Sequence, residues 1–309
     1  MSERPLDWLL SKWSPSKVGS FARCPRQFFY KYVQRMKDPL NWPILFGRAV
    51  HAAMETDAYA KLRRERLPLA HLLEAGVEEA RHAAEAADLP ARTDEVADGL
   101  GRQLEVFEAR GERARILPVA GSVEAAFQVN LLVPDRDGKP TVPVLIEGFT
   151  DVVSFTEDGT GKVAVDYKSN ARPLSTAEAA TKGQLVLEAI GSGADAGRVV
   201  NFVRSGKQKE TVKATADFPL TQAAKDRTLL YMGETIAEAQ SALKSGDFPK
   251  CDPTSFTCNH GGNCPFGQFC FPREFELSKF VSVASIVPVG SLPRADWRQS
   301  TAGKKEFKS

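Results

Sequence analysis

Two runs of apolar, largely β-branched residues between 146 and 169 enclose a polar loop that contains two glycines. This pattern is typical of a β-hairpin. Asp151 lies in the first run, and Asp166 and Lys168 lie in the second. Because strand side chains alternate between faces, Asp166 and Lys168 share one face and Tyr167 lies on the other. Pairing of the strands can bring Asp151 beside them, which would place two carboxylates and one ammonium on an apolar strand pair.

Burying such charges costs free energy unless a partner compensates, and a divalent cation is the usual partner of clustered carboxylates. The alternative is a structural salt bridge on an exposed face of the sheet. A second Asp-x-Lys sequence, at 137–139, lies in a turn with no apolar strand around it. We therefore interpret only the copy at Asp166 as a candidate metal site.

The order of the periodic segments predicts an α/β or α+β sheet with helices packed on it. An Ala-, Glu- and Arg-rich stretch at about 69–116 predicts an all-helical insertion before the core sheet at about 120–215. The predicted helices are at 18–33, 48–66, 175–190 and 219–244, and the predicted strands are at 121–133 (with Glu124), 142–155, 162–169, 198–204 and 210–214.

No apolar run reaches the roughly 18 residues of a membrane span, and the N-terminus lacks the apolar core of a signal peptide. We therefore expect a cytoplasmic protein with no membrane partner. The net charge of +2 indicates no particular partner.

Some residues of the helical segments have both an ordinary and a functional interpretation. Phe21 and Phe28 lie among basic residues, a mixture that suits a nucleic-acid surface, but we interpret the aromatic residues as core and leave the basic ones open. His51 lies four residues before Glu55 on one helix face. On this pattern alone, His51 is an ordinary helical residue.

Four cysteines, Cys251, Cys258, Cys264 and Cys270, lie close together in a segment that is rich in glycine and proline. Because cytoplasmic thiols stay reduced, such a group indicates a metal or a cluster. Its spacings differ from the paired Cys-x-x-Cys of a zinc ribbon. Cys24 lies far upstream, and the pattern leaves open whether it joins the group. Residues 281–309 predict an extended or mobile tail.

Taken in order, these motifs resemble the PD-(D/E)XK nuclease superfamily. Within it they are most similar to the RecB-type nuclease domain and to its iron–sulfur relatives, the AddB-type and CRISPR-adaptation nucleases. The resemblance implies a restriction-endonuclease-like mixed central sheet flanked by helices, in a single domain of residues 1–280. It rests on Ser-x-Ser and Cys24-Pro25, Gly47 to His51, Glu147 to Asp151, Val165 to Ser169, Gln184 and the C-terminal cysteines.

The resemblance also implies roles for individual residues. His51, Asp151 and Asp166, with the carbonyl of Tyr167, would bind Mg²⁺ or Mn²⁺. Lys168 would orient the attacking water and stabilise charge on the phosphate. Two further positions, Gln184 and Glu188, belong to the motif that follows the predicted strand of Lys168. Gln184 would orient the substrate or the site, and Glu188, which stands where the family often has tyrosine, is interpreted as a solvated helix residue.

In the iron–sulfur relatives, one cysteine near the N-terminus and three near the C-terminus bind the cluster. Cys24, Cys264 and Cys270 match that arrangement. We select Cys258 as the fourth ligand, because Cys251 lies farther away, in the lead-in to the segment. The resemblance therefore implies a 4Fe–4S cluster, with Zn²⁺ as the alternative.

The function implied is that of a metal-dependent deoxyribonuclease, with exonuclease action on DNA ends favoured over endonuclease action. Its context would be recombination, repair or the processing of phage or mobile-element DNA, together with a helicase or recombination partner. The alternatives are a non-catalytic DNA-binding or scaffold module of the same fold and a zinc-stabilised endonuclease. The sequence leaves open whether the DNA is single- or double-stranded.

Overall fold

The computed structural model describes residues 10–38, 40–87, 93–134, 140–203, 211–252, 255, 258 and 264–270. The turn at 137–139 and the predicted tail at 281–309 lie outside these residues.

The described residues form a seven-stranded mixed sheet in the order β1-β3-β4-β5-β6, with β2 paired to β3 and β7 paired to β5. The β1–β3 and β4–β5 pairs are parallel. The other pairs are antiparallel. The strands are β1 (Lys12–Trp13), β2 (Pro118–Pro134), β3 (Pro140–Phe155), β4 (Lys162–Asn170), β5 (Ala196–Val203), β6 (Thr211–Ala214) and β7 (Phe218–Pro219).

Helices cover both faces of this sheet, which confirms the predicted fold class. The helices are α1 (Pro15–Arg23), α2 (Pro25–Phe28), a π-helical turn (Phe29–Val33), α3 (Trp42–Leu62), α4 (Leu69–Glu85), α5 (Thr93–Ala109), α6 (Thr176–Ala180), α7 (Gly183–Ser192), α8 (Gln222–Ser245) and α9 (Gly267–Cys270). The apolar faces of α3, α4 and α5 share one core with the sheet. Residues of α1, α7 and α8 pack on the other side, against β2 and β3. None of the described helices is long and apolar enough to cross a membrane.

The predicted helix at 18–33 is interrupted at Cys24, where the structure corrects the sequence interpretation. Cys24 has an extended backbone, with φ −163° and ψ 109°. The steric demand of Pro25 favours this conformation in the preceding residue, so the helix ends and a new one begins. The Cys24 sulfur then accepts a hydrogen bond from the backbone N–H of Gln27 at 3.4 Å.

Two other helix boundaries differ from the prediction because of local capping. α3 begins at Trp42, where the Asn41 side chain accepts a hydrogen bond from the N–H of Ile44 at 3.2 Å. The predicted helix at 175–190 is two helices, α6 and α7, and α6 opens with a capping box between Ser175 and Glu178. The strands β1 and β7 were not predicted, because two residues carry too little periodicity.

α7 lies unusually close to the β2–β3 pair because two glycines face one aromatic ring. A Cβ added to Gly148 would lie 2.5 Å from the Cζ of Phe127, and one added to Gly191 would lie 2.6 Å from its Cβ. Neither position therefore accepts a side chain without displacement of Phe127. This close packing brings the α7 side chains onto the sheet beside β4.

Candidate metal centre and cysteine cavity

The candidate metal centre lies where β3 and β4 separate. The two strands pair from Val152↔Val165 to Phe155↔Lys162, so Asp151 and Asp166 are the next opposed positions. Beyond this point β4 continues beside β5 to Asn170. β1 contacts β3 only at residues 145 and 146. Among the described residues, the edge of β3 between these contacts therefore has no strand partner on this side, and the gap opens beside the two aspartates.

Both oxygens of Asp151 have partners in this gap. Oδ2 accepts a hydrogen bond from the backbone N–H of Tyr167 at 2.8 Å, and Oδ1 lies 3.4 Å from Nδ1 of His51. Burial raises the pKa of Asp151, but His51, Lys168 and the Tyr167 N–H together outweigh it and hold that pKa below its usual value. Burial lowers the pKa of His51, but Asp151 outweighs this effect and raises the pKa to about 9.

Asp166 and Lys168 form a close ion pair on the face of β4 opposite Tyr167. Nζ of Lys168 lies 2.7 Å from Oδ1 of Asp166, and the two side chains are 31% and 4% exposed. Burial raises the pKa of Asp166, and Asp151 adds to this effect while Lys168 opposes it. Burial lowers the pKa of Lys168, but Asp166 and Asp151 outweigh it and raise that pKa. Lys168 is therefore an ammonium ion at neutral pH. The Tyr167 ring is buried in the α3–α5 core, edge-on to His51.

A third carboxylate joins this centre from β2, and the sequence reasoning did not assign it. Glu124 lies between Val123 and Ala125, which pair with Val152 and Thr150, so it stands opposite Asp151. Its φ of 48° is unusual for a residue other than glycine. Ligand atoms of Glu124, Asp151 and His51 lie within 4.8 Å of one another, and the described residues contain no other group of this kind. We call Glu124, Asp151, Asp166, His51 and Lys168 the carboxylate site.

The interpretation of Glu188 as a solvated residue is wrong, since its side chain on α7 is buried with 1% relative exposure. Nε2 of Gln184 donates a hydrogen bond to Oε1 of Glu188 at 2.9 Å, whereas Oε2 is buried and has no hydrogen-bond partner among the described residues. Burial raises the pKa of Glu188 well above its usual value, and Asp166 and Asp151 raise it further. The close packing of α7 on the sheet explains this burial. Gln184 itself lines the groove that contains Asp166 and Lys168.

All five cysteines of the chain line one enclosed space, which we call the cysteine cavity. Its cysteines are Cys24, Cys251, Cys258, Cys264 and Cys270. The cavity includes Cys24, which the spacing pattern left open, and Cys251, which the sequence interpretation set aside. Burial raises the pKa of Cys251 to about 12, and it also raises the pKa values of Cys264 and Cys270.

Contacts between residues 26–30 and the segment at 249–270, and contacts within that segment, hold the cysteine cavity together. The Tyr30 ring lies 5.7 Å from the ring of Phe266 and 5.5 Å from that of Phe269. The backbone N–H of Arg26 donates to the carbonyl of Pro249 at 3.1 Å, and Nζ of Lys250 donates to the carbonyl of Cys270 at 2.6 Å. The segment that follows Cys24 therefore forms the support for the C-terminal cysteines.

Aspartates and a lysine in a gap between strands are groups that can bind a divalent cation and stabilise negative charge. A sequence model of the PD-(D/E)XK nuclease superfamily matches residues 12–271. The chain therefore belongs to the PD-(D/E)XK nuclease superfamily.

Two solved structures are similar to this chain over most of its length, each at 14% sequence identity. The match to the structure of SSO0001 covers 89% of this chain and 95% of that chain, with a TM-score of 0.37. A structure from Eubacterium rectale, described as a "putative exonuclease", covers 94% of this chain and 98% of its own, with a TM-score of 0.45. At these scores neither structure bears on function. No curated protein matches the chain.

Proposed function

We propose that this protein is a metal-dependent nuclease that hydrolyses phosphodiester bonds of DNA at the carboxylate site. The observation that carries the proposal is the convergence of Asp151, Asp166 and Lys168 where β3 and β4 separate, in a chain that belongs to a nuclease superfamily. A structural salt bridge would account for Asp166 and Lys168. It would not account for Asp151, His51 and Glu124, which bring further titratable groups to the same gap.

The donor set fits Mg²⁺ or Mn²⁺. Carboxylate and carbonyl oxygens are the ligands that these ions prefer. We propose that His51, Asp151 and Asp166, with the carbonyl of Tyr167, hold the ion, and that Glu124 joins them because of its spacing from His51 and Asp151. A bound divalent cation supplies a nucleophilic hydroxide at neutral pH and neutralises charge on the phosphate.

The side chains around this position hold one another in place. The Tyr167 N–H fixes one oxygen of Asp151, and such supporting bonds orient metal ligands. Lys168 keeps its proton at neutral pH because of Asp166, so it can donate hydrogen bonds to an attacking water or to a phosphoryl oxygen. Gln184 is oriented by its bond to Glu188 and offers its remaining amide atoms to a substrate in the groove.

We further propose that the enzyme acts on DNA ends, as RecB-type nucleases do. The ordered motifs from Cys24 to Cys270 support this assignment. The expected context is recombination, repair or the processing of phage or mobile-element DNA, with a helicase or recombination protein as partner. We propose a single nuclease domain through about residue 280.

We also propose that the cysteine cavity binds a 4Fe–4S cluster. An all-thiol donor set is suited to zinc or to iron–sulfur clusters. The match of Cys24, Cys264 and Cys270 to the cysteines of the iron–sulfur relatives favours a cluster over a single zinc ion. Cys24, Cys264 and Cys270 would be ligands, and the fourth would be Cys258 or Cys251.

The nuclease proposal is tested with end-labelled linear DNA and covalently closed circular DNA, each incubated with Mn²⁺ and with chelator. Degradation of linear DNA alone, in Mn²⁺ only, is the expected result. Cleavage of both forms would instead identify an endonuclease. DNA that is bound but uncut in every condition would overturn the proposal in favour of a binding module.

A further inference from the structure

A groove of about 1430 Å³ runs past the carboxylate site on the side of Asp166 and Lys168. Its walls are α1, the beginning of α7 and one face of α8, and Cys264 and Pro265 border it near the cysteine cavity. We call it the α8 groove. We propose that it binds single-stranded DNA and guides it to the carboxylate site. This inference rests on the proposed function for the identity of the nucleic acid.

The first observation is the charge of the groove. Its lining contains five basic residues and two carboxylates, Asp38 and Asp166, and both of these are already paired with lysines of the same lining. The exposed side chains of Arg23, Lys182 and Arg227 form no ion pair with a carboxylate in the described part of the chain. With a net charge of only +2 for the whole protein, this concentration of cations is local. It suits a chain of phosphates that passes Lys168.

The second observation is the start of α7, which opens into the same groove. Lys182 and Gly183 line the groove, and no side chain in the described part of the chain caps the N-terminus of this ten-residue helix. The N–H groups of a helix N-terminus attract anions through hydrogen bonds and the helix dipole. They would therefore add phosphate contacts near Gln184.

The third observation distinguishes a single strand from a duplex. α8 lines the groove with a face of helical spacing: Ala224, Arg227, Thr228, Tyr231 and Met232. Tyr231 is 52% exposed on this face. A half-exposed aromatic ring in a groove with basic residues stacks on bases that are not already stacked and paired in a duplex. A duplex would offer this wall only its backbone. The lining therefore favours single-stranded DNA.

The test measures fluorescence anisotropy of a labelled 12-nucleotide strand and of the corresponding blunt duplex, in chelator so that nothing is cleaved. We expect the single strand to bind about tenfold or more tightly than the duplex. Tyr231→Ala should weaken single-strand binding about tenfold, since one base stack is lost, and Tyr231→Phe should retain it. Leu230→Ala is the matched control, because Leu230 is 59% exposed on the same helix but does not line the groove.

Salt dependence gives a second measurement that does not depend on stacking. Arg227→Ala should lower the slope of log affinity against log salt by about 0.7, the value for one phosphate contact on a single strand. Lys225→Ala, on the same helix outside the groove lining, should leave the slope unchanged. Equal binding of duplex and single strand, or unchanged binding by both groove variants, would overturn the inference.

The two proposals fail in different ways. If wild-type protein cleaves linear DNA while Tyr231→Ala and Arg227→Ala bind single strands normally, the groove inference is wrong and the nuclease stands. If the groove variants lose binding while wild-type protein cleaves nothing in Mn²⁺, the groove stands and the nuclease proposal is wrong. A labelled RNA strand of the same sequence is the third arm, and tighter binding of RNA than of DNA would overturn the assignment of DNA.

Discussion

The carboxylate site and the cysteine cavity differ in what holds their side chains in place. Asp151 and Asp166 face each other just beyond the last β3–β4 pair, and pairing of β3 with β2 and of β4 with β5 fixes their backbones. The cysteines come from separate segments of loop and short helix, and burial raises the pKa values of Cys251, Cys264 and Cys270. The first site is built by the fold. We propose that the second requires a bound metal or cluster, which would replace the thiol protons and join the segments.

This difference predicts that removal of the bound metal or cluster has different consequences at the two sites. Loss of Mg²⁺ or Mn²⁺ should abolish activity and leave stability nearly unchanged. Loss of the group in the cysteine cavity should lower stability first.

The largest expected effect is on catalysis at the carboxylate site. Lys168→Met removes the ammonium but keeps an apolar stem, so we expect cleavage to fall about 1000-fold, as when one transition-state donor is lost. Single-turnover cleavage of linear DNA measures the loss. Lys162→Ala, an exposed lysine on the same strand, is the control, and normal cleavage by Lys168→Met would contradict the assigned role.

The next effect is on stability at the cysteine cavity. Cys264→Ser should eliminate visible absorbance and lower the free energy of unfolding by about 4 kcal/mol, the value for a ligand present at a thousandfold its Kd. Urea unfolding, followed with anaerobically purified protein, measures it. Cys251→Ser and Cys258→Ser should differ: one should match Cys264→Ser and the other should match wild type. A colourless wild-type protein containing zinc would contradict the cluster.

A smaller effect is expected on the pH dependence of stability, through the buried carboxyl group of Glu188. Because burial raises the folded-state pKa of Glu188, its neutral form contributes stability that is fully present below the unfolded pKa of about 4.5. That contribution is lost as pH rises toward the folded value. Glu188→Gln should therefore gain stability over wild type from pH 5 to pH 8 in chelator. Glu188→Ala should cost about 2 kcal/mol at pH 5, since it removes a fully buried side chain and leaves a cavity. Parallel pH profiles for wild type and Glu188→Gln would contradict this account.

The smallest effect concerns protons that compete with the metal. The pKa of His51 is raised to about 9 by Asp151, and a metal ligand must be the neutral imidazole. Mn²⁺ affinity should therefore rise with pH, by up to tenfold per unit below pH 9. Calorimetric titration at pH 6.5, 7.2 and 8 measures this slope. His51→Gln should reduce the slope, and a slope identical in both proteins would exclude His51 as the group that titrates.

The sequence predicted those features that depend on local periodicity. The alternation around Asp166 located both strands, and the hairpin placed Asp151 beside it. Glu124 could not be assigned, because an irregularity in register between Pro118 and Val123 of β2 decides what it faces. The role of His51 was predicted only from the resemblance. No local pattern shows that α3 packs beside the strands that carry the aspartates.

The other differences also arise from contacts between distant segments. The burial of Glu188 depends on Phe127 fitting between Gly148 and Gly191, which no helical pattern contains. The presence of Cys251 in the cysteine cavity depends on the path of the loop that contains it, which the cysteine spacing does not predict. The break at Cys24, by contrast, follows from Pro25 and was available from the sequence.

The central claim is that a divalent cation binds where β3 and β4 separate and that cleavage depends on it. The most direct measurement is a Mn²⁺ titration by electron paramagnetic resonance, run in parallel with cleavage of linear DNA, for Asp151→Asn, Glu124→Gln and wild type. Asp98→Asn, an exposed residue of α5, is the control. We predict that Asp151→Asn loses Mn²⁺ affinity about 100-fold and cleavage with it, that Glu124→Gln loses about tenfold, and that Asp98→Asn matches wild type. If Asp151→Asn binds Mn²⁺ and cleaves DNA as wild type does, the claim is wrong.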